Sequence, residues 1–253
     1  MTFVAKTKTS NEWKLVTTAI QTLVEEATFD VTPEGINFRA MDPSHIALLD
    51  ITWPSTSFEK YSSDGKFQFS VRTEDFVKII RRASANDSIE ISRSDENTLI
   101  VKIQNGYSKE YKLHLVESSL SSTPIPNLSL NSKINIKESA FENVLNDISI
   151  IADHITIKSS STTVEFHGKS DRGTASAKLE KNNNEITELE VKEESESTYS
   201  IEYMTNIVKA AGTRAESILM EYSSKMPIKF EIKLGDSEDG RLIFYLAPRI
   251  EDK

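Results

Sequence analysis

The chain repeats one plan. Residues 13–42, WKLVTTAIQTLVEEATFDVTPEGINFRAMD, and residues 141–171, FENVLNDISIIADHITIKSSSTTVEFHGKSD, each read as an amphipathic helix, a strand, a polar turn and a strand. Val16, Ala19, Ile20 and Leu23 form the apolar stripe of the first helix, and Phe141, Val144, Leu145 and Ile148 that of the second. The correspondence continues. VRTEDFVKIIRRA (71–83) answers IEYMTNIVKAAGTRA (201–215), whose stripe is Met204, Ile207, Val208 and Ala211, and Lys78 falls opposite Lys209. SIEISRSDENTLIVKI (88–103) answers SILMEYSSKMPIKFEI (217–232), each a strand, a turn and a strand. The offset stays near about 130 residues, far beyond the roughly 20–50 of solenoid repeats, so two similar domains are expected rather than a stack.

Between the halves, VESSLSSTPIPNLSLNSK (116–133) is rich in Ser and Pro. Pro124 and Pro126 oppose helix and favour an extended connector, with Leu120, Ile125 and Leu128 free to dock on a surface. The domains are therefore expected at 1–115 and 134–253, joined by 116–133. Asp64-Gly65, Asn105-Gly106 and Asp239-Gly240 mark tight turns. The fold class is α+β, each half holding two helices on one side of about eight or nine strands.

One short run stands out against the overall charge. The chain has 39 Asp+Glu against 30 Lys+Arg, a formal −9, yet TEDFVKIIRRA (73–83) sets Lys78, Arg81 and Arg82 together with no acid among them. Thr73 suits an N-cap, Glu74 and Asp75 suit the positive helix end, and Phe76, Ile79, Ile80 and Ala83 space as a buried stripe. On its own such a basic face is ordinary solvated surface. The acidic body argues against coating nucleic acid with the whole surface and leaves room for a local basic site.

Little in the chain suggests chemistry. It has no cysteine, so disulfides and thiolate catalysis are excluded. MTFVAKTKTS lacks the apolar run of a signal peptide, and no stretch approaches the roughly 18 apolar residues of a membrane span, so an intracellular, soluble protein is expected. His45, His114, His154 and His167 have no neighbour at metal-ligand spacing. Asp42, Ser44 and His45 sit too close along one loop to converge as a triad. There is no phosphate-cradling glycine loop, and the acidic run around Glu185–Glu196 alternates with apolar residues as an exposed strand and loop would. No catalytic residue, metal site or cofactor is expected.

GINFRAMDPSHIALLDI (35–51) and the ending LIFYLAPRIEDK (242–253) are specific. Both closely resemble the archaeal and eukaryotic sliding clamp family, proliferating cell nuclear antigen: the first its Met-Asp-x-Ser-His loop, the second its Tyr-Leu-Ala-Pro-Lys/Arg-Ile-Glu-Asp tail. The resemblance covers essentially the whole chain. It implies two domains of the DNA-clamp fold, inner helices packed on outer antiparallel sheets, and three subunits closing head to tail into a ring around duplex DNA. It implies a processivity factor and docking platform, not an enzyme, located in the cytoplasm of an archaeon or the nucleus of a eukaryote.

The resemblance also assigns residues. Lys14, Lys78, Arg81 and Lys209 match basic positions on the family's inner helices and would face DNA without reading its sequence. Arg82 matches the subunit joint, where Asp147 and Glu142 of the next subunit are candidate partners. Tyr111 and Leu113 on EYKLHLV, Ala175, Ala177 and Leu179 on GTASAKLEK, and Leu145, Asp147, Ile148 and Ile151 match the rest of that joint. Partner proteins carrying the PIP-box peptide (DNA polymerase, flap endonuclease, DNA ligase, and the clamp loader of replication factor C type) would dock at Met41, His45, Ile46, Leu48, Ile125, Pro227, Tyr245, Ala247 and Pro248, with the tail after Ala247 adding main-chain hydrogen bonds.

The chain departs from the family in places. Asn143, Asn146 and Ile150 on the third helix, and Gln21 on the first, stand where relatives often carry basic residues, so the hole should be less positive. Thr123-Pro124 stands where relatives often have Leu-Gly. A homotrimer is expected. The alternatives are one subunit of a heterotrimeric clamp or, from another class, an enzyme on a duplicated α+β scaffold.

Overall fold

The computed structural model describes residues 2–117, 123–212, 215–235 and 237–250. The chain divides into two compact units, Met1–Pro124 with Lys233–Leu242, and Ile125–Ile232 with Ile243–Lys253. Leu120, expected in the connector, and Glu251, Asp252 and Lys253 of the tail motif lie outside the described residues.

The first unit runs β1 (Phe3–Thr7), α1 (Asn11–Gln21), β2 (Glu26–Thr32), β3 (Gly35–Met41), β4 (Ala47–Pro54), β5 (Lys60–Ser63), β6 (Phe67–Arg72), α2 (Thr73–Ile80), β7 (Ser88–Asp95), β8 (Thr98–Asn105) and β9 (Tyr107–His114). The second runs β10 (Ser132–Lys137), α3 (Glu138–Ser149), β11 (His154–Ser159), β12 (Thr163–Ser170), β13 (Gly173–Glu180), β14 (Ile186–Val191), β15 (Ser195–Ser200), α4 (Ile201–Ala211), β16 (Ser217–Tyr222), β17 (Ile228–Lys233) and β18 (Arg241–Leu246). In the first unit neighbouring strands run β5-β1-β7-β8-β9 and β4-β3-β2-β6; in the second they run β14-β10-β16-β17-β18 and β13-β12-β11-β15. Adding nine to each strand number of the first unit reproduces the order of the second. The duplication seen in the sequence is a duplication of topology.

Period-two burial makes these strands. Along β8, Leu99, Val101 and Ile103 are buried while their neighbours are not, and along β10 Ser132, Ile134 and Ile136 do the same. The helices present a stripe to the sheets: Phe76, Val77 and Ile80 on α2, and Phe141, Val144, Leu145 and Ile148 on α3. α1 packs on α2, and α3 on α4. The first core is built on aromatic edges, with Trp13 against Trp53 (centroids 4.7 Å apart), Phe76 (5.7 Å) and Phe29 (6.4 Å). The second centres on Phe141, between Phe166 (6.0 Å) and Phe230 (6.1 Å).

The helices start on backbone carbonyls borrowed from elsewhere, in matched pairs. The Thr73 N–H donates to the Glu25 carbonyl (2.8 Å) and the Ile201 N–H to that of Asp153 (3.0 Å); the Ser10 N–H donates to Ala85 (3.4 Å) and the Glu138 N–H to Glu216 (3.1 Å). This corrects the expectation of Thr73 as an N-cap. Arg72 holds the cap position, Thr73 is the first helical residue, and its hydroxyl is buried without a partner. α2 also stops at Ile80, short of the expected Ala83. The Arg82 and Ala83 N–H groups bond three residues back, to Ile79 (3.0 Å) and Ile80 (3.1 Å), so the apolar spacing continues through a tightened turn.

Gly168 on β12 lets α3 sit close to its sheet. A β-carbon there would collide with the Ile148 side chain and lie 3.0 Å from the Ala152 β-carbon. Gly168→Ala is therefore expected to cost about 1–3 kcal/mol by overpacking, measured by urea denaturation. A variant within experimental error of the parent would show that α3 can shift off the sheet freely.

Candidate nucleic-acid and partner interfaces

Lys14 lies on α1, Lys78 on α2, Arg81 at the C-cap of α2 and Lys209 in the last turn of α4. Lys78, Arg81 and Lys209 are exposed, and Lys14 is half-buried. The island is less free than its sequence suggests. Glu74, one turn before Lys78, pairs with it at 2.5 Å, lowering the Glu74 pKa and raising that of Lys78. The Arg81 guanidinium donates to the Gln21 side-chain carbonyl (3.1 Å), tying α2 to α1. The Ser84 N–H and the Asn105 amide hold the Asp87 carboxyl below the usual carboxylate range, with smaller help from Lys109 and Lys14. α3 carries Glu138, Glu142 and Asp147 and no Lys or Arg.

Of the strands that end the sheets, two share one pattern of side chains. β9 ends one sheet of the first unit and β13 ends one sheet of the second. Both alternate half-buried apolar with exposed polar residues. Tyr111 and Leu113 alternate with Lys112 and His114, while Ala175, Ala177 and Leu179 alternate with Ser176, Lys178 and Glu180. Asp147 is exposed on α3, Ile151 is half-buried just beyond it, and Ile150 is 67% exposed. Arg82 is exposed, and its carbonyl accepts from the Lys109 ammonium (3.2 Å). Leu145 and Ile148, each 1% exposed, differ from the expectation of joint residues: their own unit buries them, as the α3 stripe requires, and leaves them no surface to offer.

The Met-Asp-Pro-Ser-His loop owes its shape to Asp42. One carboxylate oxygen accepts the Ile46 and Ala47 N–H groups (2.7 Å each), the other that of Ser44 (3.2 Å), while the His45 N–H donates to the Asp42 carbonyl (3.0 Å). His45 is thereby held at φ 59° and exposed beside Ile46, which is 39% exposed. Met41 is half-buried. Leu48 is 3% exposed and belongs to the core, so it supports the loop and offers nothing to a ligand. In the second unit Ile125 is 42% exposed, and Pro227, Tyr245, Ala247 and Pro248 are half-buried.

The sequence reading missed a polar groove on the β4-β3-β2-β6 face of the first unit. It has a volume of about 500 Å³ and is lined by Glu26, Thr28, Asp30, Asn37, Arg39, Asp50 and Thr123, among others. Arg39 Nε donates to the nearly buried Asp50 carboxylate (2.7 Å), and its Nη1 to the Thr123 carbonyl (3.4 Å), tying the backbone at residue 123 to the sheet. The alternation Asn37, Arg39, Met41 along β3 is the only sequence signal for it. Among the described residues, no three His, Asp or Glu gather as metal ligands, and no helix is long and apolar enough to cross a membrane.

The comparisons with known proteins agree with this architecture. Residues 2–122 match the family model for the proliferating cell nuclear antigen N-terminal domain, and residues 124–250 that for its C-terminal domain. The chain is 47% identical over 250 residues to the DNA polymerase sliding clamp of Cenarchaeum symbiosum (99% of each chain). It is equally identical over 251 residues to that of Nitrosopumilus maritimus (99% of this chain, 100% of the relative). The crystal structure of PCNA from Thermococcus kodakaraensis shares the fold at a TM-score of 0.92 and 22% identity, covering 98% of this chain and 100% of that one. The PCNA2–PCNA3 complex from Sulfolobus tokodaii matches at 0.88 and 26%, with the same coverage. Duplicated topology, matched helix starts and both domain models together place this chain in the proliferating cell nuclear antigen family of DNA polymerase sliding clamps.

Proposed function

We propose that three copies of this chain close head to tail into a ring that encircles duplex DNA and tethers polymerase and other replication and repair proteins to it. The observation that carries this reading is the pair of sheet ends that alternate half-buried apolar with exposed polar side chains. β9 and β13 stand on units of one plan, each with half-buried apolar side chains awaiting cover. Pairing β9 of one copy with β13 of the next completes both hydrogen-bond ladders, and a heterologous joint that closes gives a ring. Tyr111, Leu113, Ala175, Ala177, Leu179, Asp147, Ile151 and Arg82 belong to that joint. Residues 1–115 and 134–253 act as the two clamp domains and 116–133 as the connector.

Lys14, Lys78, Arg81 and Lys209 would meet phosphates through weak, sequence-blind contacts. With Glu74 beside Lys78 and three acids on α3, retention comes from closure rather than adhesion, and the ring slides. The chain itself catalyses nothing, and a separate loader of replication factor C type would open it. Partners such as flap endonuclease and DNA ligase would insert PIP-box peptides against Met41, His45, Ile46, Ile125, Pro227, Tyr245, Ala247 and Pro248. This is work inside the cell. A second reading, one subunit of a heterotrimer, is favoured by the likeness to a PCNA2–PCNA3 complex.

Tyr245→Ala is expected to weaken a PIP-box peptide about tenfold or more while leaving assembly intact, read by calorimetry and light scattering; unchanged peptide affinity would remove Tyr245 from the docking site. Reversing Lys78, Arg81 and Lys209 together to Glu is expected to slow loading or to reduce stimulation of a polymerase on primed circular DNA. Full stimulation by that variant would mean the basic side chains are plain surface.

A further inference from the structure

The segment that ends each unit is bound at the same place. The Val116 N–H donates to the Ser70 carbonyl of β6 (2.9 Å), and the Arg249 N–H to the Thr198 carbonyl of β15 (2.7 Å). The equivalence is fixed by two hydroxyl pairs at matching register, Thr28 with Ser70 and Thr156 with Thr198, each at 2.8 Å. The side chains differ. Arg249 reaches from the tail to His154, the first residue of β11, where its Nη1 lies 2.5 Å from Nδ1 and 2.8 Å from Nε2. In the first unit the place of His154, opposite Ser200, is taken by Glu26, opposite Arg72, and Val116 has no cation to offer. Among the described residues, the tail carries this second, side-chain fastening and the segment at Val116 does not.

The chemistry of the contact depends on one proton. A neutral imidazole keeps one nitrogen lone pair to accept a guanidinium N–H; an imidazolium has two donors, a positive charge and no acceptor. Burial and Arg249 both hold the ring below its ordinary range, against the opposing pull of Asp153. The groups facing the ring are Arg249 from the tail, Asp153 from the preceding turn, and Thr198 and Ser200 from β15. Continuing the register of Thr156 opposite His167 brings Lys169 of β12 across from it.

We propose that His154 is a positioning residue for partner docking: neutral, it holds Arg249 and so sets the tail segment along β15, and protonated, it lets that segment go. This rests on the reading above, in which the tail after Ala247 lies along the partner peptide. Because the folded ring resists protonation, the fastening is complete above the ordinary imidazole pKa of about 6.5 and is lost as the pH falls below it.

The test uses the full chain and a fluorescent synthetic PIP-box peptide, titrated by anisotropy at pH 7.5 and 5.5 at constant ionic strength, with the protection factor of the Arg249 amide measured at both pH values. The peptide Kd is expected to rise about fivefold at pH 5.5, and the Arg249 protection to fall by a similar factor. His154→Gln, which keeps a neutral acceptor, should bind like the parent at pH 7.5 and lose both pH steps. Arg249→Ala should bind at pH 7.5 as weakly as the parent does at pH 5.5. A parent flat in both readouts overturns the proposal, and so does a His154→Gln variant that keeps the steps, which would move the proton elsewhere. No peptide binding at either pH, with the protection step present, overturns the docking reading and leaves the His154–Arg249 fastening supported.

Discussion

An edge strand is a hydrogen-bond ladder with one side unmade, and this fold depends on where its edges are left. Each unit spends its interior strands on closed pairing and its helices on covering one face. What stays open includes β9, which ends one sheet of the first unit, and β13, which ends one sheet of the second. Such edges invite uncontrolled pairing in a lone domain. In the proposed ring, the half-covered apolar side chains of β9 and β13 would make these two edges a specific joint between copies. On the proposed reading, ring closure, DNA retention and a platform for partners would all follow from completing that ladder.

Electrostatics then has a smaller task than in a protein that grips DNA. The body is acidic, α3 has no cation, and Lys78 is already paired with Glu74. A strongly basic lining would add affinity and friction together, because each phosphate contact must be broken for the ring to move. A weakly basic one suits a topologically linked ring. The same economy shows in the Met-Asp-Pro-Ser-His loop, where one carboxylate gathers three backbone N–H groups and leaves His45 and Ile46 exposed.

The sequence made the large features legible because they rest on local periods. Periods of two and of three-four-seven pointed to two helices and eight or nine strands per half, and the offset between halves to the duplication. It misled at α2, where Phe76, Ile79, Ile80 and Ala83 keep their spacing while the backbone tightens after Ile80, since side-chain periodicity does not report which carbonyl an N–H finds. Thr73 was misread for the same reason: its helix starts on the Glu25 carbonyl, a tertiary partner no local pattern encodes. Leu145 and Ile148 carried the family's interface positions but serve the α3 core stripe. Arg39 with Asp50, and Arg249 with His154, join residues far apart along the chain, and only the strand register brings them together.

The mass of the purified chain in solution, by light scattering over a range of concentrations, tests the ring most directly. Three copies of the 28.5 kDa chain give about 85 kDa, and the account predicts that mass, held down to low micromolar protein. A mass of 28.5 kDa that does not rise with concentration would contradict it, because the β9 and β13 edges would then lack each other as partners.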